Sequence, residues 1–393
     1  MPTRTAPSLA TLILLTSISV LALNMFLPAL DAIASDLNAP YTLVSLSLGG
    51  YLALSALLQL VLGPLSDRYG RRPVMLWGMA VFTIASLGSA LAVDVWSFLA
   101  FRMVQCVVGA GMVLSRAVVR DTAPPEEAAR ILALIGTVMA LAPLLGPILG
   151  GALTELFGWR ANFHVFALMG AVVFVLTWAD LGETNLTPSA SFGAQFKSYP
   201  ELVRSGLFWA YCACLVFSVG GFYAFLGGAP LVGARLYGLG PGALGLGMGM
   251  ISAGFMVGNI VSSRLMRRRG SLILMIWGRW VATLGPLVAM FAILAGVGHP
   301  VFLFGGAIFV GFGNGLTLPG ANAGVLSVAP HLAGSAAGLS AAVTVAGGAA
   351  LTAIAGWGVT GAFGAEALLI LMAATSGLGL VAALAIRRIE ARG

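Results

Sequence analysis

Charge is scarce in this chain. Of its 393 residues, 8% are Asp, Glu, Lys or Arg and 59% are hydrophobic. A soluble domain of that composition lacks the polar surface to face water, so soluble folds are excluded. Cysteine is sparser still, with three residues. Cys106, Cys212 and Cys214 sit inside apolar runs, without the spacing of a metal site or a disulfide framework, and no metal site is expected. There is no His-Glu-x-x-His, no Gly-x-Ser-x-Gly elbow and no intramembrane Asp pair, which removes the grounds for an enzyme working within the membrane. No charged ring or repeated filter speaks for a channel. Acids are also missing from the middles of the apolar runs: Glu155, Asp180 and Glu366 lie near run ends, as do His164 and His331. The first run lacks a small-residue cleavage site and reads as a retained helix rather than a signal peptide.

What remains is apolar sequence in long pieces. A membrane-spanning helix needs about 20 apolar residues. In lipid only helices and closed barrels satisfy the backbone, and the runs here are continuous rather than alternating, so helices are expected. Twelve are expected: 9–30, 42–62, 74–93, 96–119, 131–153 and 163–181, then 207–231, 241–262, 272–295, 301–318, 332–356 and 365–386. The fold class is therefore an all-α membrane protein. Its 53 glycines suit close helix packing. The net charge of +7 is carried mostly on alternate loops, with Arg160 and Arg235 the exceptions, which puts both termini in the cytoplasm and makes nucleic-acid binding a poor reading. The most polar long stretch, 182–204, divides a first half, 1–181, from a second, 205–393. The halves echo each other, as in transporters built from structural repeats.

Four stretches stand out. Residues 63–73 read GPLSDRYGRRP, where Gly63, Pro64 and Gly70 are expected to force a tight turn and Asp67 lies beside Arg68, Arg71 and Arg72. A counterpart, Ser263–Gly270, follows the eighth run, with Ser263 in place of the Asp and Arg264 lying 196 residues after Arg68. Arg102 falls inside the fourth run, three residues before Gln105. A central Arg costs about 2.5–3.5 kcal/mol to insert, so it either faces the bundle interior with a task or snorkels to the nearby surface. The fifth run carries Gly146-Pro147-Ile-Leu-Gly150-Gly151, a kink with small residues that lets another backbone approach; Gly347-Gly348 echoes it. The first run ends Asn24-Met-Phe-Leu-Pro-Ala-Leu-Asp31. On a continuous helix Asp31 lies two turns beyond Asn24 on the same face, about 10.5 Å away. An amide takes up no proton near neutral pH; a carboxylate does. Met139, Tyr211, Phe217 and Tyr223 are candidates for lining an adaptable apolar pocket.

The order Gly-x-x-x-Asp-Arg-x-Gly-Arg-Arg resembles the loop between helices 2 and 3 of the major facilitator superfamily. Arg102-x-x-Gln105 resembles its helix-4 motif Arg-x-x-Gln-Gly, with Cys106 replacing the Gly. Gly-Pro-x-x-Gly-Gly resembles the antiporter motif of its drug exporters. The end of the first run, Pro319 and Ala333-Gly334-Ser335 resemble its bicyclomycin and chloramphenicol resistance branch. The resemblance implies two pseudo-symmetric six-helix halves and alternating access. It also implies a gating latch at Gly63–Arg72 (Asp67 and the arginines) against the other half, and proton coupling tied to Arg102. The expected activity is proton-driven export of small molecules by a monomer in the bacterial inner membrane, with a proton gradient and no cofactor. Asn24 stands where the family usually has Asp, and Asp31 where it has Pro. With Arg102 and no fixed buried acid, neutral or anionic substrates are expected over cations. A specific metabolite or amino-acid-derivative exporter, or a facilitator, is the alternative on the same fold.

Overall fold

The computed structural model describes residues 7–185, 199–329, 332–361 and 363–391. The middle of the expected linker, His331 and Arg392 lie outside the described residues. The described residues form helices and connecting turns, with no strand among them. Twelve helical stretches are long and apolar enough to cross a membrane. The chain divides into two compact units, Met1–Phe192 and Gly193–Gly393.

The first unit contains α1 (Leu9–Asn24), α2 (Leu30–Asp36), α3 (Tyr41–Tyr69), α4 (Arg71–Ala90), α5 (Val95–Val104), α6 (Gly109–Thr122), α7 (Pro125–Phe157) and α8 (Arg160–Asp180). Two spans are not single helices. Between α1 and α2 the chain turns at Met25 and Phe26 and makes a 3-10 turn, Leu27–Ala29; between α5 and α6 it makes another, Gln105–Val108. The expected continuous first and fourth helices are thus corrected. Pro28 is one physical reason for the first break, since a proline donates no backbone N–H to a helical ladder. In the other direction, α3 runs seven residues past the expected end at 62, through 63 and 64, to Tyr69. The turn expected at Gly63, Pro64 and Gly70 is made at Gly70 alone, whose φ of 97° only glycine adopts without strain.

Within this unit α1 packs on α6 and α7, α4 on α8 and α5, and α3 on α5 and α6. A column of rings joins the broken first span to α5 and α8. Phe163 contacts Phe26, Phe98, Trp159 and Phe166 at 5.4–5.8 Å between ring centres, and Phe82 extends the column from α4. At the same end Arg160 Nη1 and the Trp159 indole donate to Asp36 Oδ2 at 2.6 and 3.1 Å. That pairing gives Arg160, one of the two arginines expected in outer loops, its place.

The second unit contains α9 (Tyr199–Arg204), α10 (Gly206–Tyr237), α11 (Pro241–Arg269), α12 (Ser271–Leu294), α13 (Pro300–Val328), α14 (Ala333–Gly358) and α15 (Gly364–Glu390). Here α13 packs on α11 and α12, and α10 on α14 and α15. The α11–α12 turn repeats the α3–α4 turn in backbone terms: Gly270 has φ 80° and ψ 156°, Gly70 φ 97° and ψ 152°. The expected linker at 182–204 is not uniform. Its last six residues are α9, and its first few fold back onto the first unit, as shown below.

Candidate substrate and coupling site

Arg102 leaves α5 three residues before the 3-10 turn and is fully buried, so it does not snorkel. Its Nη1 donates to Gln105 Oε1 at 2.8 Å and its Nη2 to the Ala22 carbonyl at 2.6 Å. Gln105 Nε2 donates onward to Ser86 Oγ at 2.7 Å, and that hydroxyl donates to the Phe82 carbonyl. The guanidinium also lies 4.2 Å from the centre of the Phe26 ring and 4.3 Å from that of Tyr51. Charge-assisted hydrogen bonds contribute about 1.5–3 kcal/mol each and desolvated ring faces about 2 each. Together they offset an insertion cost of about 2.5–3.5 kcal/mol. What the cluster lacks is an anion. All its oxygen acceptors are neutral, and Nε has no partner among the described residues. The two 3-10 turns fit this arrangement, because irregular backbone within a membrane is tolerated where it is buried in protein.

Asn24 is the last residue of α1 and is also buried. Its Nδ2 donates to the Val20 carbonyl at 2.8 Å, and its Oδ1 has no partner among the described residues. The glycines of α7 lie directly against this break. A Cβ on Gly146 would sit 3.5 Å from Asn24 Cβ, whereas one on Gly150 would overlap the Met25 carbonyl oxygen. Pro143 and Pro147 lie within α7, and Gly151 is buried beside them. The Gly-Pro-x-x-Gly-Gly stretch is therefore the surface that lets α7 meet the broken first span backbone to backbone. Asp31 lies in the first turn of α2, part-buried. The straight-helix relation of Asn24 to Asp31 does not hold, because the 3-10 turn between them resets the register. Met139 lies part-buried on α7.

At the other end of the unit, the Gly70 turn holds a network. Arg71 Nη1 pairs with Asp67 Oδ1 at 2.6 Å and its Nε with Asp121 Oδ2 at 3.2 Å; the Arg71 side chain is 5% exposed. Arg71 also donates to Ser66 Oγ. Arg68 is exposed and lies over the Tyr69 ring. The Arg72 guanidinium donates to the Trp178 carbonyl at 2.8 Å. Two residues not anticipated from sequence complete it. Glu183 accepts the Arg71 and Arg72 backbone N–H groups at 2.9 and 3.2 Å, capping α4, and Asn185 Nδ2 donates to the Asp67 carbonyl at 2.8 Å. Carboxylates at a helix N-terminus are favoured by its exposed N–H groups and dipole. A Cβ on Gly70 would overlap the Glu183 carboxylate; one on Gly270 would meet nothing within 4 Å. The second turn thus keeps the backbone of the first without its acidic cap.

In the second unit Tyr211 is a correction to the expected pocket lining. Its ring packs on Gly324 within the apolar core of that unit, and its hydroxyl donates to Glu390 Oε1 at 2.6 Å at the end of α15. Phe217 and Tyr223 are part-buried on α10, with Tyr223 against Gly348. Sequence reasoning missed Arg279. It is fully buried on α12, donating from Nε to Thr317 Oγ1 at 3.0 Å and from Nη2 to Asn314 Oδ1 at 2.6 Å. The signal was available, since Arg279 is a lone Arg within an apolar run, as Arg102 is.

A family model described as Major Facilitator Superfamily matches residues 12–352. The chain belongs to the major facilitator superfamily. Family membership and the twelve candidate spans together make it a multi-pass membrane protein. Among similar superfamily members are the uncharacterized MFS-type transporter YdgK of Bacillus subtilis (strain 168), 34% identical over 61% of this chain and 62% of that protein, and a chloramphenicol resistance protein of Pseudomonas aeruginosa, 33% identical over 66% and 62%. In both cases the chain spans less than two thirds of the relative. The multidrug transporter MdfA of Shigella boydii serotype 4 (strain Sb227) is 31% identical over 77% of this chain and 74% of its own. Among solved structures, a D-xylose–proton symporter superposes with a TM-score of 0.78 at 15% identity over 96% of both chains. An inward-facing bacterial homologue of the human lysosomal transporter Spinster gives 0.76 at 16% identity, also over 96% of both. These two likenesses show the superfamily fold.

Proposed function

We propose that this superfamily member is a secondary exporter that uses a proton gradient to expel small neutral or anionic organic molecules by alternating access. One observation carries the charge preference. Arg102 is buried among neutral acceptors, with Asn24 rather than an acid at the end of α1. A fixed interior cation without a counter-carboxylate raises the free energy of a lipophilic cation nearby and lowers that of an anion. Relatives named for chloramphenicol resistance and multidrug transport agree with export of drug-like molecules, and chloramphenicol carries no charge. The packing of Gly150 against Met25 supports reading the Gly-Pro-x-x-Gly-Gly stretch as an antiporter element. Asp31 is the carboxylate on the first span best placed to exchange a proton, since Asn24 and Arg102 do not change charge near neutral pH. Asp67, Arg71 and Asp121 form the gating network. The arginine-rich Gly70 and Gly270 turns mark the cytoplasmic side, which puts both termini there and the protein in a bacterial inner membrane, working as a monomer. Its partners are then substrate, protons and lipid.

The test is transport in proteoliposomes under an imposed pH gradient, with chloramphenicol, benzoate and tetraphenylphosphonium as neutral, anionic and cationic probes. The proposal expects gradient-driven movement of the first two and exclusion of the third. Movement of chloramphenicol that is saturable but indifferent to the gradient would make the protein a facilitator instead.

A further inference from the structure

The first unit surrounds its buried arginine with two rings and two acceptors. The second unit does less for Arg279. Its guanidinium has the Thr317 hydroxyl and the Asn314 amide oxygen, and Nη1, with two N–H groups, has no partner among the described residues. Thr317 is itself committed, donating to the Gly313 carbonyl at 2.8 Å. No carboxylate of this unit pairs with Arg279 among the described residues. The acids of Gly193–Gly393 are Glu201, Glu366 and Glu390. Glu201 is exposed on α9, and Glu390 accepts the Tyr211 hydroxyl. A Cβ at Gly379 of α15 would lie 3.0 Å from Arg279 Cδ, which fixes the level of the arginine. Gly379 is 13 residues from Glu366 and 11 from Glu390 on the same helix, so about 20 and 16 Å along its axis. Arg279 is therefore near mid-span, beyond hydrogen-bonding reach of either.

A charge there without an opposite charge costs several kcal/mol. A helix-packing role does not call for it, since a Met or Leu of similar length fills the space at no such cost. Two further features point to a ligand. Ser376, one turn before Gly379 on α15, is buried with its hydroxyl unpartnered among the described residues. Phe217, part-buried on α10, lies against the same glycine, its Cβ 3.6 Å from a Cβ placed there.

We propose that Arg279, held by Asn314 and Thr317 and packed on α15 at Gly379, one turn from Ser376, is a second recognition site, taking a monovalent anionic group such as a carboxylate or a halide. It deepens the reading of this protein as a transporter of neutral and anionic molecules and rests on it for the ligand's charge class. The Nη1 edge donates two hydrogen bonds to the anion, and the Ser376 hydroxyl supplies a third donor.

The test uses the full chain in detergent micelles. Its thermal midpoint is followed in a HEPES buffer while sodium chloride or sodium benzoate is added at matched ionic strength. Wild type is expected to gain stability with at least one anion. Asn314→Asp places a carboxylate against the guanidinium at unchanged size, so it is expected to fold at least as stably in HEPES and to weaken the anion response tenfold or more. Arg279→Gln is expected to lose the response, and Arg279→Lys to keep a weaker one. A response to benzoate alone makes the organic carboxylate the ligand, and one to chloride alone makes it a halide. An absent response in wild type, or equal responses in wild type, Asn314→Asp and Arg279→Gln, overturns the site. Chloramphenicol export driven by a pH gradient, measured in parallel on wild type, reports separately on the broader reading.

Discussion

At the scale of single residues, the same amino acid does different work at different places, and glycine shows it best. Gly150 is the point at which α7 touches the Met25 carbonyl, whereas Gly136 on the same helix has nothing within 4 Å of a built Cβ. Gly150→Ala is expected to cost about 1–3 kcal/mol through overpacking, and Gly136→Ala to be neutral or to stabilise by up to about 1 kcal/mol. Thermal unfolding of the two variants in one detergent checks the pair; equal midpoints would contradict the close approach. The glycine-rich motif was legible in the sequence, but which of its members touches a backbone was not. That depends on where the first span breaks, and the break follows from tertiary packing as much as from Pro28. Arg102 was legible for a simple reason: a charge within an apolar run demands an explanation. Its rings were not, because Phe26 and Tyr51 come from two other spans.

At the scale of the elements, the ends of helices were the least legible part. The extension of α3 to Tyr69 and the positive φ of Gly70 are set jointly with Glu183, a residue 113 positions later whose sequence context carries no capping signal. Glu183→Ala is expected to release the Arg71 and Arg72 amides, destabilising the α4 start by about 1 kcal/mol. Faster hydrogen exchange at those two amides, with exchange in α8 unchanged, is the readout. A cap of the ordinary kind begins α5. Asp94 Oδ1 accepts the Trp96 and Ser97 backbone N–H groups at 2.9 and 3.0 Å, and the Ser97 hydroxyl donates to the same carboxylate. The Ser97 amide and hydroxyl, with the Trp96 amide, hold the Asp94 carboxyl below the usual Asp range. A lowered folded pKa means that the cap's contribution is complete above the unfolded value of about 3.9 and is lost as pH falls through the folded value. Protection of the Trp96 and Ser97 amides is therefore expected to be constant from neutral pH down to about 4 and to decline below it, and Asp94→Asn is expected to remove that decline.

At the scale of the whole molecule, the twelve-span plan followed from composition, since so few charges leave little freedom in where the chain meets water. The repeat was legible as well, in the Gly70 and Gly270 turns and in the glycine pairs of α7 and α14. The charge balance of the interior was legible only in part, because Arg279 passed as one more residue in an apolar run. Besides Arg71, which is paired with Asp67 and Asp121, each unit holds a fully buried arginine against an amide oxygen, Arg102 on Gln105 in the first and Arg279 on Asn314 in the second, with no carboxylate in hydrogen-bonding reach among the described residues. On this account proton exchange falls to Asp31, so Asp31→Asn is expected to abolish gradient-driven chloramphenicol transport while its binding survives. Uphill transport by that variant would place the proton elsewhere.

The central claim is that uncompensated interior positive charge sets which molecules are carried. The most direct measurement is the initial rate of tetraphenylphosphonium transport relative to chloramphenicol, in wild type and in Asn24→Asp, at equal protein density in proteoliposomes. The account predicts a ratio near zero for wild type and at least a tenfold rise in Asn24→Asp, whose new carboxylate supplies the missing negative charge at the end of α1. A wild type that carries the cation as fast as chloramphenicol would contradict it.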